Sequence, residues 1–209
     1  MKTKRKAAAK KLPGVRQIRR AAGIKEPKSA IVLLKADHRE VEALFRAYKR
    51  SDSGAEKRAL ANKICEALKI HTRIEEEIFY PAFLKATGQE SIHDEALVEH
   101  DGAKKLVAEI ENTAPGDRMV DARVSVLSEM IKHHVKEEEG FGGMFSKARQ
   151  AKMDMMALGA LLEARKKELA RHEPAKRSNK TPRGTRASFM GAAALARAEG
   201  PRPHARRQP

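Results

Sequence analysis

ICEALKIHTRIEEEIFYP (Ile64 to Pro81) carries the pattern on which the reading of the chain turns. Ile64, Leu68, His71, Glu75 and Ile78 recur three or four residues apart, the spacing of one helical face. A histidine and a glutamate four residues apart on that face stand one above the other and can aim at a single point. An imidazole and a carboxylate inside an otherwise aliphatic stripe call for an explanation.

Working outward, the same anomaly recurs once in every apolar stripe. Helix one is expected over about Ser29 to Tyr48, capped by Ser29, with Leu34, His38, Val41, Leu44, Phe45 and Tyr48 in line; Ser51 to Gly54 breaks it. Helix two spans about Ala55 to Phe79, with Pro81 near its end. Helix three follows Gly88, from about Ser91 to Asn112, on Ala96, Leu97, His100, Ala103, Leu106, Val107 and Ile110. After the Pro115–Gly116 turn, Asp117 caps helix four, which carries Val120, Val124, Leu127, Ile131, His134 and Glu138 and ends around Gly140–Gly143. Four helices of about 20 residues with short connections predict an all-α, up-down-up-down antiparallel four-helix bundle. The bundle is assigned to residues 30–145. A further helix, begun near Met144 and placed at 146–171, follows through Met153, Met156, Leu158, Leu161 and Leu162.

Charge separates this domain from its ends. Of the 209 residues, 44 are Lys or Arg and 28 Asp or Glu, a net +16. Residues 1–29 carry 11 basic and 1 acidic residue, and 171–209 carry 10 and 2, so the middle is left with 23 basic and 25 acidic. A near-neutral domain therefore lies between two cationic arms, 1–29 and 172–209, both expected to be disordered from composition. Short helices are conceivable at Val15 to Ile24 and Ala187 to Ala198. Such arms suit non-specific contact with nucleic acid or another anionic surface, although no interleaved aromatics point to base readout. The single cysteine, Cys65, cannot form an internal disulfide, and no apolar run approaches the ~18 residues of a membrane span. A cytoplasmic, reducing location is the expectation.

Depth decides whether the histidines meet. His38 lies early in helix one, His71 late in helix two, His100 early in helix three and His134 late in helix four. In a bundle of alternating direction this order puts all four at one level. His38, His71, Glu75, His100, His134 and Glu138 are therefore the expected metal ligands. Two carboxylates in an aliphatic core cost several kcal/mol each without compensation, and a cation supplies it. Six ligands are too many for one tetrahedral zinc, and mixed nitrogen and oxygen ligation favours two iron ions joined by the carboxylates and an oxo or hydroxo group, with Mn or Zn possible. His133, paired with Glu137, is the alternative to His134. Glu76, Glu77, Glu137 and Glu139 are expected to form a solvated acidic rim. Asp37 could stand behind a ligand, Tyr80 is placed too far from the site for a redox role, and Glu90/His93 is an accidental match to the ExxH pairs of ferritin-type proteins.

The whole pattern, Asp37-His38, His71-x-x-x-Glu75, Glu99-His100 and His134-x-x-x-Glu138, resembles the hemerythrin-like HHE cation-binding proteins, as do LLKADHREVEALF (Leu33 to Phe45) and HTRIEEEIFYP. The resemblance covers roughly residues 30–145. It implies a non-heme diiron protein that senses or binds dioxygen, nitric oxide, peroxide or iron itself. Oxygen-carrying members have a further histidine four residues after the one in helix three, where this chain has Lys104, and an aspartate five residues after the last histidine, where this chain has Glu139. Reversible oxygen carriage is therefore not expected. An oxidase or peroxidase-like enzyme at the same centre is the alternative.

Overall fold

A computed structural model of the protein describes residues 28–172 with the exception of residue 115. The arms, with their two expected short helices, lie outside the described residues, apart from Lys28, Ser29 and His172. The described chain is helical. Four long helices, α1 (Ala30–Arg50), α2 (Gly54–Ile74), α4 (Glu90–Asn112) and α5 (Met119–Glu139), form a closed ring in which α1 packs on α2, α2 on α4, α4 on α5 and α5 on α1. Between α2 and α4 a π-helical turn, Glu75–Phe79, leads directly into α3 (Tyr80–Thr87). After α5 come α6 (Met144–Gln150), against α5 and α3, and α7 (Met155–His172), against α1 and α2. No described helix is long and apolar enough to cross a membrane.

The predicted stripes face the interior. Val124, Leu127, Ile131, His134 and Glu138 are the buried residues of α5, and Ala96, His100, Ala103, Val107 and Ile110 those of α4. The apolar interior is divided into two clusters. One contains Val41, Phe45, Ile64, Leu68, Val107, Leu127 and Ile131; the other contains Leu34, Ile74, Phe79, Phe83, Met144, Phe145 and Leu162. In each long helix the histidine falls where one cluster gives way to the other.

Three expectations need correction. Helix two does not stop near Phe79 but continues to Thr87, where Gly88 in the left-handed region (φ 63°) closes it. Pro81 is tolerated because it lies in the first turn of α3, directly after a turn whose ladder has already slipped by one residue. The additional helix is two helices: Lys152 turns to φ 55°, and the Asp154 carboxylate accepts from the Met156 and Ala157 N–H groups at 3.1 and 2.9 Å to start α7. Its expected stripe is broken accordingly, with Leu162 buried and Met156 and Leu161 exposed. Ser29 occupies the predicted cap of α1 without a side-chain bond, whereas Asp117 accepts from the Met119 N–H at 2.8 Å ahead of α5.

Gly159 lets α7 lie directly on the start of α1. A Cβ there would overlap the Lys28 carbonyl oxygen and come 2.8 Å from the Ala30 nitrogen, both backbone atoms that cannot turn aside. Gly159→Ala should therefore destabilise the protein by about 1–3 kcal/mol, despite the better helix propensity of alanine. Thermal denaturation reads this as a lowered Tm; an unchanged or raised Tm would contradict the close approach.

Candidate metal centre

The centre is assembled from all four long helices and the π turn. His38 (α1) and His71 (α2) bring their Nε2 atoms to 3.0 Å, and His100 (α4) and His134 (α5) bring theirs to 3.2 Å. Glu75 and Glu138 lie between the two pairs. One oxygen of Glu75, Oε2, is 3.2 Å from His71 Nε2 and 3.5 Å from His100 Nε2. Glu138 reaches His38 Nε2 with Oε2 at 3.3 Å and faces His134 Nε2 with Oε1 at 3.8 Å. His38, His71 and Glu75 form one group able to hold a metal ion, and Glu75, His100 and His134 another. All six predicted residues are thus brought together, each at most 5 % exposed. The side chain of His134 is 5 % exposed and that of His133 62 %, so the alternative pair points outward.

Every imidazole turns Nε2 inward and Nδ1 outward to a carboxylate. His38 Nδ1 donates to Glu139 Oε1 at 2.8 Å, His100 Nδ1 to Glu76 Oε1 at 2.9 Å and His134 Nδ1 to Glu99 Oε2 at 2.7 Å. His71 Nδ1 faces Asp37 Oδ2 at 3.7 Å. An imidazole that donates from Nδ1 presents a lone pair at Nε2, the arrangement carboxylates impose on metal-ligating histidines. Glu76 and Glu139, expected to form a solvated rim, therefore stand behind ligand-type histidines. Their HxxxE-adjacent positions gave no signal of this, because a carboxylate one residue off the buried stripe reads as solvated from spacing alone. Asp37 does stand behind His71, and Lys166 of α7 holds its other oxygen at 2.5 Å.

Tyr80 is the residue that the periodicity misplaces. Its hydroxyl donates to Glu138 Oε1 at 3.0 Å and lies 3.1 Å from His100 Nε2 and 3.3 Å from His134 Nε2. In a regular helix a residue five positions after Glu75 points about 140° away from it. The Tyr80 N–H instead bonds the Glu75 carbonyl, closing a π turn, and the inserted residue brings both side chains to the same face. EEEIF carries no sequence signal for that insertion beyond the nearby proline. His93 lies beside the Tyr80 ring, with centroids 6.4 Å apart, and bonds Asp94 rather than the centre.

The electrostatics fit a cation. Burial and the neighbouring Glu138 raise the Glu75 carboxyl well above its usual range, while His38 and the charges of His134 and His71 overcome burial and hold Glu138 at about 2. Two carboxylates packed so close in a dry interior cannot both ionise unaided. Both oxygens of Glu75 and Oε2 of Glu138 are buried without a hydrogen-bond partner. Two nitrogens about 2.1 Å from one zinc-like ion, at angles between 90° and tetrahedral, are about 3.0–3.4 Å apart, which is the spacing of each Nε2 pair. The residues present fit a metal-loaded centre.

Histidines and carboxylates converging between the helices of a bundle define a metal-binding helical bundle. The chain belongs to the hemerythrin HHE cation binding domain family, whose model matches residues 29–148. Its fold is similar to the crystal structure of a hemerythrin HHE cation binding domain-containing protein, an Rv2633c homolog, from Mycobacterium kansasii (TM-score 0.59, 23 % identity, 69 % of this chain and 89 % of that one). A curated protein named DNA nickase, from Nostoc sp. (strain PCC 7120), is 27 % identical over 107 residues, which are 51 % of this chain and 30 % of that protein's length. Helix α7, with Lys166, lies outside the family match.

Burial pushes the His71 imidazole down to about 4, whereas Glu99 and Glu138 raise His134 against the effect of burial. Between about 4 and 6.5 the unfolded chain binds a proton at His71 that the folded one refuses, so this contribution to stability disappears as the pH falls through that window. His134 acts in the opposite sense, its contribution disappearing as the pH rises through its folded value. Imidazole nitrogen NMR of the metal-free protein should find His71 neutral down to about pH 4 and His134 still protonated at pH 6.5. Two coincident titrations near 6.5 would contradict the geometry.

Proposed function

We propose that the protein binds two iron ions through His38, His71, His100, His134, Glu75 and Glu138, and that this centre senses or binds dioxygen, nitric oxide or peroxide rather than carrying oxygen. The observation that carries the reading is the sorting of four inward Nε2 atoms into two pairs, with one buried carboxylate reaching both pairs from either side. Mn and Zn have the same ligand preferences, and the mixed nitrogen and oxygen set favours iron. Bound there, two irons supply one-electron redox chemistry and open coordination positions for a small ligand.

The protein's own contribution is orientation, proton placement and exclusion of water. Glu139, Glu76 and Glu99 hold the imidazoles of His38, His100 and His134 in the tautomer that offers Nε2 inward, and Asp37 faces Nδ1 of His71. Tyr80, which burial and the charges of Glu75 and Glu138 keep protonated well above the ordinary phenol range, points a fixed O–H donor into the centre. Phe79 and Phe145, both at most 1 % exposed, keep bulk water away. Lys104 lies 3.0 Å from Glu76 Oε1 and so secures the carboxylate behind His100 instead of supplying a fifth imidazole. This arrangement supports a ligand-responsive centre more than reversible carriage.

The phenol at the centre favours a second reading, an oxidase or peroxidase-like enzyme, because Tyr80 could deliver a hydrogen atom or proton to a bound oxidant. The basic arms and the likeness to a protein named DNA nickase suggest nucleic-acid association as a separate property, borne by 1–29 and 172–209. The iron content of the purified protein tests the first reading. Two irons per chain and charge-transfer absorption of an oxo-bridged ferric pair are expected, with both lost in His71→Ala. A wild-type protein that takes up no iron under anaerobic ferrous loading would end it. Peroxide turnover that falls at least about a hundredfold in Tyr80→Phe, the loss expected when a positioned proton donor is removed, would favour the enzyme.

A further inference from the structure

The carboxylates behind the four imidazoles are themselves held from outside, and three of them in the same way. Asp37 meets Lys166, Glu76 meets Lys104, and Glu139 meets Arg39 and Lys35, all permanently charged at neutral pH. Glu99 differs. Its Oε2 holds His134 Nδ1 at 2.7 Å, while its Oε1 faces a second imidazole, His133 Nε2, at 3.5 Å. Glu137, one turn after His133 on α5, brings Oε1 within 3.1 Å of the same nitrogen. Ligand-type atoms of Glu99, His133 and Glu137 all lie within 4.8 Å of one another. Where the other three positions carry a Lys or Arg, this one, among the described residues, carries ligand-type atoms instead.

A second observation bears on the same place. A cavity of about 270 Å³ is lined by Glu99 and Glu137 of the trio, by Glu95 and Lys136, and by His134 and Glu138 of the buried centre. Glu138 is 2 % exposed, and its Oε2 has no hydrogen-bond partner. The cavity thus runs from the two carboxylates of the exposed cluster to a buried carboxylate of the centre.

We propose that Glu99, His133 and Glu137 form an outer divalent-cation site at the mouth of this cavity, through which a metal ion enters the buried centre. One imidazole and two carboxylates suit a first-row ion such as Fe(II), Mn(II) or Zn(II), with water completing the coordination. Calcium wants six to eight oxygens and magnesium keeps most of its own waters, so neither is served well. The trio is solvent-accessible, with side chains 62 % (His133), 41 % (Glu137) and 21 % (Glu99) exposed, so an ion binds there with little desolvation and correspondingly modest affinity. Glu99 serves both sites, one oxygen for the outer ion and the other for the imidazole of His134. The entry role rests on reading the buried six as a metal centre; the outer site itself does not.

Titrating the metal-free full chain with Mn(II), and following the six-line EPR signal of the free ion, counts bound ions and times their uptake. The wild type is expected to bind two ions tightly and one more weakly. His133→Ala/Glu137→Gln should lose the weak ion and fill the tight sites several-fold more slowly, to the same final content. His71→Ala should lose tight binding and keep the weak ion, which separates the two sites. A double variant that binds as many ions as the wild type, at the same rate, overturns the proposal. A wild type with no tight ions, whose weak ion still disappears in the double variant, upholds the outer site and refutes both the entry role and the buried centre.

Discussion

Two carboxylates buried side by side in an aliphatic interior set the terms for everything around them. Glu75 is fully buried with neither oxygen hydrogen-bonded, and Glu138 is 2 % exposed with only Oε1 hydrogen-bonded, by Tyr80. Isolated charges of this kind cost several kcal/mol each in a real protein interior, more than any surface ion pair returns. Four imidazoles turn their Nε2 atoms towards the same layer, so that acceptor faces acceptor until a proton or a metal ion lies between them. The apolar clusters on either side keep the layer dry, and dryness makes the ligands both strained without a cation and tightly held with one.

The arrangement is concentric. Imidazoles point inward, a carboxylate faces each from behind, and a Lys or Arg stands behind Asp37, Glu76 and Glu139. One of these outer groups comes from outside the four-helix ring: Lys166 belongs to α7 and reaches Asp37 of α1. Helix α7 is thereby tied to the orientation of His71 through two polar contacts. The π turn does comparable work, exchanging one regular turn for the placement of Tyr80 among His100, His134 and Glu138.

Much of this was legible in the sequence. Helical period fixed the stripes, and the early-late-early-late order of the histidines set their common level, because both follow from a rise and a twist that hardly vary between helices. His134 was distinguishable from His133 for the same reason: 100° of rotation separates a buried residue from an exposed one. What escaped the reading depends on departures from that regularity. Tyr80 reaches the site only because one residue is inserted into the ladder, and Lys152 splits the last helix by adopting a positive φ, which lysine seldom does. Glu76, Glu99 and Glu139 border the stripes, where spacing alone does not tell a carboxylate that reaches back to an imidazole from one that faces water.

The central proposal is that six side chains from four long helices and the π turn hold two metal ions between them. Anomalous diffraction from crystals loaded with iron tests it most directly. The account predicts two iron peaks, one between the His38 and His71 Nε2 atoms and one between those of His100 and His134, with Glu75 and Glu138 reaching both. A single peak, or iron located only at the surface, would contradict it.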